Sequence, residues 1–304
     1  MSHYLVTGGA GFIGSHICEQ LLQQGHRVRV LDNFSTGKHE NLAEGVELFE
    51  VDICDLAAIQ PAFVGIDGVF HLAAYPSVTL SIEDPIKTHQ VNVNGTLNVF
   101  KAASDAGVKR VVFSSSAAVY GNPTMLPTTT SAKADPLNPY ALHKFIGELY
   151  AKQFSTLFNL PIVSLRYFNA YGPRMAEVGA YVSVISIFAG QKRAGKPMSI
   201  FGDGKQTRDF IHVTDIAKAN IAAMSSEQMK GGEVFNIGSG QSFTVNTVAE
   251  TMGGESIHLE NPRGKGDPAD SLADITETKE KLGWTPSMNF EKGLKDLMDY
   301  WSLS

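Results

Sequence analysis

The sequence is poor in the features that mark secreted, membrane-spanning and nucleic-acid-binding proteins. It has two cysteines in 304 residues, Cys18 and Cys54, and they form no Cys-x-x-Cys pair, which indicates a reduced, cytoplasmic protein. No apolar run is long enough to span a membrane. The first predicted strand starts at His3 or Tyr4, so we expect no signal peptide. The net charge is −6 and Lys and Arg form no cluster of five or more, which argues against nucleic-acid binding.

Metal-ligand patterns are also missing. The nine histidines do not have the spacing of metal ligands, so we expect no metal in the site. What is present is an ordinary globular composition, with 43% apolar and 18% charged residues. A chain of this length and composition can bury a substantial core.

Short strands alternate with helices in the first half of the chain. We predict strands at residues 4–7, 27–31, 46–51, 68–72, 110–114 and 161–167, and helices that end near residue 24, span residues 91–106 and begin after Pro139. Short apolar strands separated by helices predict an α/β fold with a doubly wound parallel sheet of the Rossmann type.

The second half of the chain has a different character. Glycine and proline breaks after Phe168 predict a smaller, mixed C-terminal lobe at residues 168–304, beside an α/β domain at residues 1–167. Residues 209–213 and 233–237 could return to the first sheet, so parts of 209–238 are expected to join that domain. The two units are therefore predicted to be interleaved.

A glycine-rich turn, Thr7-Gly8-Gly9-Ala10-Gly11-Phe12-Ile13-Gly14, follows the first strand and opens the first helix. Glycines at this spacing allow a tight turn, a close approach of backbone to a pyrophosphate, and close packing of helix on strand. The helix N-terminus offers N–H groups and a positive dipole end to phosphates. The triplet Gly8, Gly11 and Gly14 is by itself also compatible with an ordinary turn.

A carboxylate at the end of the second strand makes the glycine turn more specific. Asp32 can accept both hydroxyls of an adenine ribose and would repel a 2′-phosphate, which predicts NAD and not NADP as the cofactor. The alternative role of Asp32 is a strand-end cap. Asp52, in Val51-Asp52-Ile53, could bind an adenine amine or be a solvated turn residue. The small residues in His71-Leu72-Ala73-Ala74 would let a cofactor lie close, and they also suit plain packing.

A phenol and an ammonium lie four positions apart in Tyr140-Ala141-Leu142-His143-Lys144. On a helix this spacing places both side chains on one face. A neighbouring ammonium favours the phenolate, so Tyr140 could accept a proton near neutral pH. Ser116 ends the preceding strand and could bind the oxygen that Tyr140 deprotonates. The pair alone is a weak signal, because Tyr and Lys at this spacing are common on exposed helices.

These motifs together resemble the extended short-chain dehydrogenase/reductases, and more narrowly the NAD-dependent epimerase/dehydratase family that acts on nucleotide sugars. The resemblance runs nearly end to end. Further matching segments are Arg166-Tyr167-Phe168-Asn169, Tyr171-Gly172-Pro173-Arg174, Ile200-Phe201-Gly202-Asp203-Gly204, Thr207-Arg208-Asp209-Phe210-Ile211-His212-Val213, Leu272-Ala273-Asp274 and Leu282-Gly283-Trp284.

The resemblance implies roles for individual residues. The implied catalytic residues are Ser116, Tyr140 and Lys144. The implied contacts to NAD are Gly8, Gly11, Phe12, Ile13, Gly14, Asp32, Asn33, Asp52, Ile53, Leu72, Ala73, Ala74, Asn94, Ser114, Tyr140, Lys144 and Phe168. The implied contacts to the nucleotide-sugar substrate are Ser77, Ser116, Tyr140, Asn169, Val184, Phe201, Arg208, Arg263, Asp267 and Ser271. Outside its motif, Arg208 would be read as a surface ion pair with Asp209.

The residues after the catalytic serine select among the family's reactions. Dehydratases of the family carry an Asp-Glu pair at this position and related decarboxylases keep a Glu, whereas this chain has Ala117 and Ala118. Methyl groups cannot transfer protons, and no Cys–His pair for epimerisation at another carbon is present. The resemblance therefore implies a 4-epimerase that oxidises and reduces C4 reversibly through a 4-keto sugar. UDP-glucose/UDP-galactose or their N-acetylamino forms are the expected substrates.

Two local features bear on the substrate. Ser271 lies four residues after Asp267, where a bulky Tyr often stands in galactose epimerases, and a small residue there predicts acceptance of N-acetyl groups. Ser271 could equally reflect a different loop. The family's usual loop arginine is replaced by Gly264, so either Arg263 reaches the diphosphate or phosphate binding is weaker.

Other functions remain open from the sequence. One is a different NAD-dependent oxidoreductase of nucleotide sugars, or an epimerase of a dTDP-, GDP- or ADP-sugar. A more remote one is an NAD-binding regulator without turnover, and nothing in the sequence requires an interaction scaffold. A homodimer is expected through the apolar helices near residues 91–106 and 141–158, although a core role explains their apolar stripes equally well.

Overall fold

A computed structural model describes residues 1–177, 183–260 and 270–303 of the chain. Strands in this part of the chain are β1 (His3–Thr7), β2 (Arg27–Leu31), β3 (Glu47–Phe49), β4 (Gly68–His71), β5 (Arg110–Ser116), β6 (Ile162–Tyr167), β7 (Asn169–Tyr171), β8 (Met198–Phe201), β9 (Thr207–Arg208), β10 (Phe210–His212), β11 (Val234–Ile237), β12 (Phe243–Thr244) and β13 (Ser256–Leu259).

The α-helices of the same ranges are α1 (Phe12–Gln23), α2 (Leu56–Ile59), α3 (Val78–Glu83), α4 (Pro85–His89), α5 (Thr96–Asp105), α6 (Pro139–Leu157), α7 (Val184–Arg193), α8 (Val213–Ser225), α9 (Val245–Met252), α10 (Thr276–Leu282) and α11 (Phe290–Tyr300). A π-helical segment, Gln90–Gly95, leads into α5. No helix among the described residues has the length and apolar character that crossing a bilayer requires.

Seven parallel strands form the central sheet, in the order β11-β6-β5-β4-β1-β2-β3. This order confirms the predicted doubly wound Rossmann sheet, with β11 added beside β6. The order reverses between β1 and β4, and the rule for such sheets is that ligands bind outside the strand ends at this switch point. The glycine turn after β1 and the small residues after β4 meet there.

Alternate residues of the strands fill two separate cores. Val6, Phe70 and Val112 face one core with residues of α1 and α8, while their neighbours Leu5, Val69 and Val111 face the other with α5 and α6. Both faces of the sheet are therefore covered, which explains why the strands are apolar throughout instead of alternating in polarity.

The remaining strands form three two-stranded sheets in the C-terminal part of the chain, which pair β10 with β7, β12 with β9 and β13 with β8. They surround a third apolar core that includes Phe188, Phe210 and Phe290. The expectation that residues 209–213 return to the central sheet was wrong, because Phe210–His212 pairs with Asn169–Tyr171 instead. Residues 234–237 do return to it, beside β6.

Candidate active site

In the glycine turn, the backbone at Gly8 and Gly14 lies in close contact with the backbone of neighbouring segments. Gly8 has a φ of +69°, and a Cβ there would lie 2.8 Å from the amide nitrogen of Ala73. A Cβ on Gly14 would lie 2.2 Å from the carbonyl oxygen of Gly8. The N-terminus of α1 has no side-chain cap at Gly11, so its first N–H groups are suited to an anion. The turn therefore has the close backbone approach and the free N–H groups that a dinucleotide's pyrophosphate requires.

Asp32 lies directly beside this turn. Its Oδ2 accepts the N–H of Ala10 at 3.0 Å and its Oδ1 accepts the N–H of Phe34 at 2.9 Å. Each carboxylate oxygen has a second lone pair, so Asp32 can still accept hydroxyls from a ribose. Asn33 donates from Nδ2 to Asp52 Oδ2 at 2.9 Å, which brings two predicted cofactor contacts together at the ends of β2 and β3.

A chain of buried hydrogen bonds fixes the backbone that follows β4, opposite the glycine turn. Thr7 Oγ1 accepts the N–H groups of Leu72 and Ala73 at 3.3 Å, and lies 2.7 Å from His71 Nδ1. Because Oγ1 is already an acceptor, we assign its proton to the Thr7–His71 bond, which leaves His71 Nε2 as the donor to Thr96 Oγ1 at 3.0 Å. Burial lowers the pKa of His71 to about 3, so the ring is neutral.

The sequence had suggested only small residues at this place and no role for Thr7 or the His71 ring. The hydrogen-bond chain gives both a function: they hold the backbone of Leu72 and Ala73 against Gly8. Ala74 follows directly. Asn94 is exposed on the π-helical segment, and segments of this kind are frequent at functional sites.

Helix α6 carries Tyr140 and Lys144 on one face. Asn138 caps it by accepting the N–H of Ala141 at 2.9 Å, and Ser81 of α3 accepts the N–H of Tyr140 at 3.1 Å. Tyr140 is half-buried and Lys144 is 5% exposed. The Lys144 ammonium lies 6.0 Å from the centre of the Tyr140 ring, close enough to favour the phenolate.

The end of β5 faces this helix. Lys144 Nζ donates to the carbonyl of Ser114 at 2.7 Å, which ties the helix to the strand that carries Ser116. Ser116 Oγ accepts the N–H of Ala118 at 3.2 Å, which orients the hydroxyl while its own proton can be donated to a ligand. Ala117 and Ala118 continue as a 3-10 turn and bring no proton-transferring group.

The environment of Lys144 sets its charge. Burial lowers the pKa of its ammonium to about 8, and Glu148, one turn further along α6, acts in the opposite direction. A pKa near 8 keeps most of the ammonium charged at neutral pH, within reach of the Tyr140 ring. The site therefore holds a cation beside a phenol without exposing it to solvent.

Residues predicted to contact the substrate lie on several separate elements. Asn169 Nδ2 donates to the carbonyl of Asp209 at 3.0 Å, and Arg208 Nη1 donates to the carbonyl of Thr207 at 2.8 Å. Phe201 is exposed, Val184 is the first residue of α7, and Ser271 is half-buried. Ser77 caps α3 through the N–H of Leu80 at 3.0 Å. Arg263, Gly264 and Asp267 lie outside the described residues.

Asp209 was not predicted to have a role, and the structure places it at the junction of three segments. Its carboxylate is fully buried and accepts Ser239 N, Ser239 Oγ, Gly240 N and Ala273 N at 2.7–3.1 Å. These bonds attach the strand end next to Arg208 to the segment that follows Ser271. The Asp209 carboxylate is thus a buried hydrogen-bond acceptor that joins these segments, and it is not a surface ion-pair partner of Arg208.

The fold and these residues define a Rossmann-type, NAD-dependent enzyme whose helix presents a Tyr-x-x-x-Lys pair to a serine-bearing strand. A sequence model described as "NAD dependent epimerase/dehydratase family" matches residues 4–238, and the chain belongs to that family.

Three solved structures show what the chain is similar to. UDP-glucose 4-epimerase from Thermotoga maritima with UDP-glucose is 38% identical with a TM-score of 0.92, covering 99% of this chain and 98% of the other. UDP-N-acetylglucosamine 4-epimerase from Methanobrevibacter ruminantium, in complex with UDP-N-acetylmuramic acid, is 37% identical with a TM-score of 0.93, covering 99% and 98%. UDP-glucose 4-epimerase from Thermus thermophilus, in complex with NAD, is 36% identical with a TM-score of 0.89, covering 99% of both.

Proposed function

We propose that the protein is a nucleotide-sugar 4-epimerase that acts on UDP-sugars, with Ser116, Tyr140 and Lys144 as its catalytic residues. The observation that carries the proposal is the arrangement of α6 against the end of β5. A buried ammonium lies 6.0 Å from the Tyr140 ring and binds the strand that carries Ser116, and the two residues after Ser116 have no acid or base.

Each residue has a defined task in this reaction. The Ser116 hydroxyl donates a hydrogen bond to the O4 atom of the sugar and orients O4 toward Tyr140. The Tyr140 phenolate takes the O4 proton, and Lys144 stabilises the phenolate by its charge. Bound NAD supplies the hydride acceptor and donor at C4. After the 4-keto sugar has rotated to present its other face and C4 is reduced, Tyr140 returns the proton to O4. The protein therefore ends in its starting protonation state.

The cofactor contacts are proposed as the sequence implied them. Gly8, Gly11, Phe12, Ile13 and Gly14 approach the pyrophosphate, and Asp32 receives the adenine ribose. The remaining proposed contacts are Asn33, Asp52, Ile53, Leu72, Ala73, Ala74, Asn94, Ser114 and Phe168. A cofactor that is regenerated in every cycle has no need to leave, so we expect it to remain bound through purification.

The proposed substrate contacts begin with Ser116 and Tyr140 at the sugar. Asn169, Phe201 and Arg208 serve the nucleotide half, and an arginine suits a diphosphate because its planar fork can bind two oxygens. Ser77, Val184, Arg263, Asp267 and Ser271 complete the proposed set.

The test of the reaction needs no added cofactor. The purified protein is incubated with UDP-glucose, UDP-N-acetylglucosamine and UDP-glucuronate in turn, and the sugar is followed by NMR. Interconversion at C4 is expected, and net production of reduced cofactor instead would assign an oxidoreductase. Tyr140→Phe should lower kcat by about 10²–10⁴-fold, whereas near-normal turnover of this variant would exclude Tyr140 as the proton carrier.

Acceptance of N-acetylated sugars is proposed from Ser271. The half-buried serine leaves more room than a tyrosine would. Ser271→Tyr should lower kcat/KM for the acetylated sugar more than for the plain one. Exclusive turnover of plain sugars by the unaltered protein would contradict this proposal.

A homodimer in the cytoplasm is proposed as the working form. Leu142 and Leu149 of α6 and Ile86 of α4 are exposed apolar residues, and α4 contacts α6. We propose that a second copy covers them. Leu149→Glu should convert the dimer to a monomer in light scattering, and a monomeric parent protein would refute the assignment.

A division into a cofactor domain at residues 1–167, joined by parts of 209–238, and a substrate lobe at residues 168–304 is likewise proposed.

A further inference from the structure

A buried polar cluster lies one helical turn beyond Lys144, along the face of α6 that carries Tyr140 and Lys144. Glu148 is one helical turn beyond Lys144 and 6% exposed, and Arg166 of β6 is 5% exposed. Arg166 Nε donates to Glu148 Oε1 at 2.8 Å and Arg166 Nη2 donates to Oε2 at 2.6 Å. The Ser115 hydroxyl also donates to Oε1. We call Ser115, Glu148 and Arg166 the anchor cluster.

The anchor cluster joins α6, β5 and β6, of which α6 and β5 carry proposed site residues and β6 leads directly into Phe168. Glu148 belongs to the helix of Tyr140 and Lys144. Ser115 lies between Ser114, whose carbonyl accepts the Lys144 ammonium, and Ser116. Arg166 lies two residues before Phe168, at the end of the neighbouring strand. One carboxylate is therefore bonded both to the strand that carries Ser116 and to the strand paired with it.

A contribution to stability alone does not explain this arrangement. The cost of desolvating a buried ion pair is comparable to its Coulomb gain, and apolar replacements of such pairs are often neutral or stabilising. The helix is already held on the sheet by apolar contacts in the core that contains Phe113, Ala151 and Phe154. Apolar contacts have little directionality, whereas a bidentate arginine–carboxylate pair and a hydroxyl bond define distance and angle.

Glu148 is also unable to act on the substrate itself. Both of its oxygens are bonded to Arg166, and Oε1 accepts a second bond from Ser115. Its side chain is 4% exposed. Its effect on the reaction must therefore pass through the groups it holds.

We propose that Glu148 is a positioning residue that, through Ser115 and Arg166, sets the spacing between Tyr140 on α6 and Ser116 on β5. The inference rests on the proposed function, because it takes Tyr140 and Ser116 to meet at one oxygen of the substrate. A displacement of about 1 Å between reacting groups can lower a rate about 10²-fold. The anchor cluster prevents that displacement.

The experiment uses two variants, of which one shortens the carboxylate side chain of the cluster and the other removes one of its hydrogen bonds. Glu148→Asp keeps the charge but draws the carboxylate back by one methylene, and Ser115→Ala removes only the hydroxyl bond. Both variants should lower kcat, by about 10-fold to 10²-fold for Glu148→Asp and less for Ser115→Ala. KM and the amount of retained NAD should stay at the wild-type level.

A double variant and a rescue test the connection. If Ser115 acts through Glu148, the double variant should lose no more rate than Glu148→Asp alone, because coupled residues are not additive. Ser115→Thr keeps the hydroxyl and should restore most of the rate lost in Ser115→Ala.

Asp215→Asn is the matched control for lost stability. Asp215 is a fully buried carboxylate of α8 that accepts Ser287 N, Ser287 Oγ and Met288 N at 2.7–2.8 Å, away from the proposed site. This variant should unfold more easily and keep its kcat. Anchor-cluster variants that lose stability as the control does, with unchanged kcat, would show a structural role and overturn the proposal.

A readout without substrate separates this inference from the proposed function. Formation of the Tyr140 phenolate is followed by ultraviolet absorbance against pH, with Tyr140→Phe subtracted to remove the other eight of the nine tyrosines. In Glu148→Asp the phenolate should form at higher pH, because β5 shifts against α6 and the Ser114 carbonyl no longer holds the Lys144 ammonium beside the ring. If the wild type converts no sugar nucleotide, the proposed function fails, and an unchanged phenolate titration in Glu148→Asp would independently overturn the inference.

Discussion

Replacing Gly14 by alanine should disrupt the glycine turn between β1 and α1. Gly14 lies within α1, where alanine would ordinarily be the better residue by about 1 kcal/mol. Here its Cβ would lie 2.2 Å from the Gly8 carbonyl oxygen and 3.0 Å from the Gly9 Cα. Both neighbours are backbone atoms, so no side chain can rotate away to make room.

The size of the effect follows from two opposing terms. Overpacking costs about 1–3 kcal/mol, and we take about 3 because the obstacle is backbone. Subtracting about 1 kcal/mol for the gain in helix propensity leaves a net loss of about 2 kcal/mol in the free energy of unfolding. The same clash moves the turn that holds the pyrophosphate, so NAD retention should fall as well.

Gly190→Ala is the matched control, because Gly190 also lies within a helix and its added Cβ meets nothing within 4 Å. It should raise the free energy of unfolding by about 0.5–1 kcal/mol. The measurements are urea unfolding of the cofactor-free protein and the NAD content after gel filtration. A Gly14→Ala protein that is as stable as the control and retains NAD would refute the close-approach reasoning.

Three further predictions concern charge. Lys144→Met should abolish most activity yet raise the unfolding free energy at neutral pH by about 2 kcal/mol. The lowered pKa of Lys144, about 8, corresponds to about 3 kcal/mol of cost for burying the ammonium, and leaving the Ser114 carbonyl unpaired takes back about 1 kcal/mol. A variant that is less stable in urea would contradict this. Asp209→Asn should raise KM for the UDP-sugar about 10-fold, or about 1.4 kcal/mol, with a smaller change in kcat, and a steady-state assay that shows the reverse would exclude a role in substrate binding. Burial lowers the pKa of His71 to about 3 and the pKa values of His143 and His212 to about 4, so the unfolded chain binds more protons below about pH 6.5 and the unfolding free energy should fall as pH drops from there toward 4. His71→Gln should flatten that pH dependence in urea titrations.

Much of the Rossmann sheet was predictable from residue pattern because its strands are buried on both faces. The strand predicted at residues 27–31 is Arg27–Leu31, and the strand predicted at 161–167 is Ile162–Tyr167. Local apolar runs bounded by turn residues carry that information. The pairing of residues 210–212 with 169–171 is a long-range contact that no local pattern encodes, so the prediction that they join the central sheet failed.

The helix predicted at residues 91–106 shows a subtler limit. Its periodicity indicated one helix, but residues 90–95 are π-helical and the α-helix begins at Thr96. In this segment Asn92 Oδ1 accepts the N–H of Tyr75 at 2.7 Å and Asn92 Nδ2 donates to the carbonyl of Tyr75 at 3.1 Å. A tertiary bond of this kind is not visible in helical periodicity.

The residues of the candidate site also differ in whether a local sequence pattern points to them. Residues in motifs, such as Tyr140 and Asp32, could be proposed from the sequence, because their spacing relates directly to a helix face or a strand end. Glu148 and Asp209 were missed, although the interval of four from Lys144 to Glu148 was a readable signal. Their roles depend on partners from other elements, which only the folded chain brings together.

The return of β11 to the sheet has a consequence for synthesis. While the ribosome is still translating residues 168–233, β6 is an unpaired edge of a nearly complete sheet, and edges of this kind invite pairing with other chains. The nascent Rossmann half is therefore vulnerable to misassembly until residue 237 has left the ribosome. Expression fragments that stop near residue 167 carry this edge permanently, so they should aggregate even though every motif of the cofactor crevice up to that point is present.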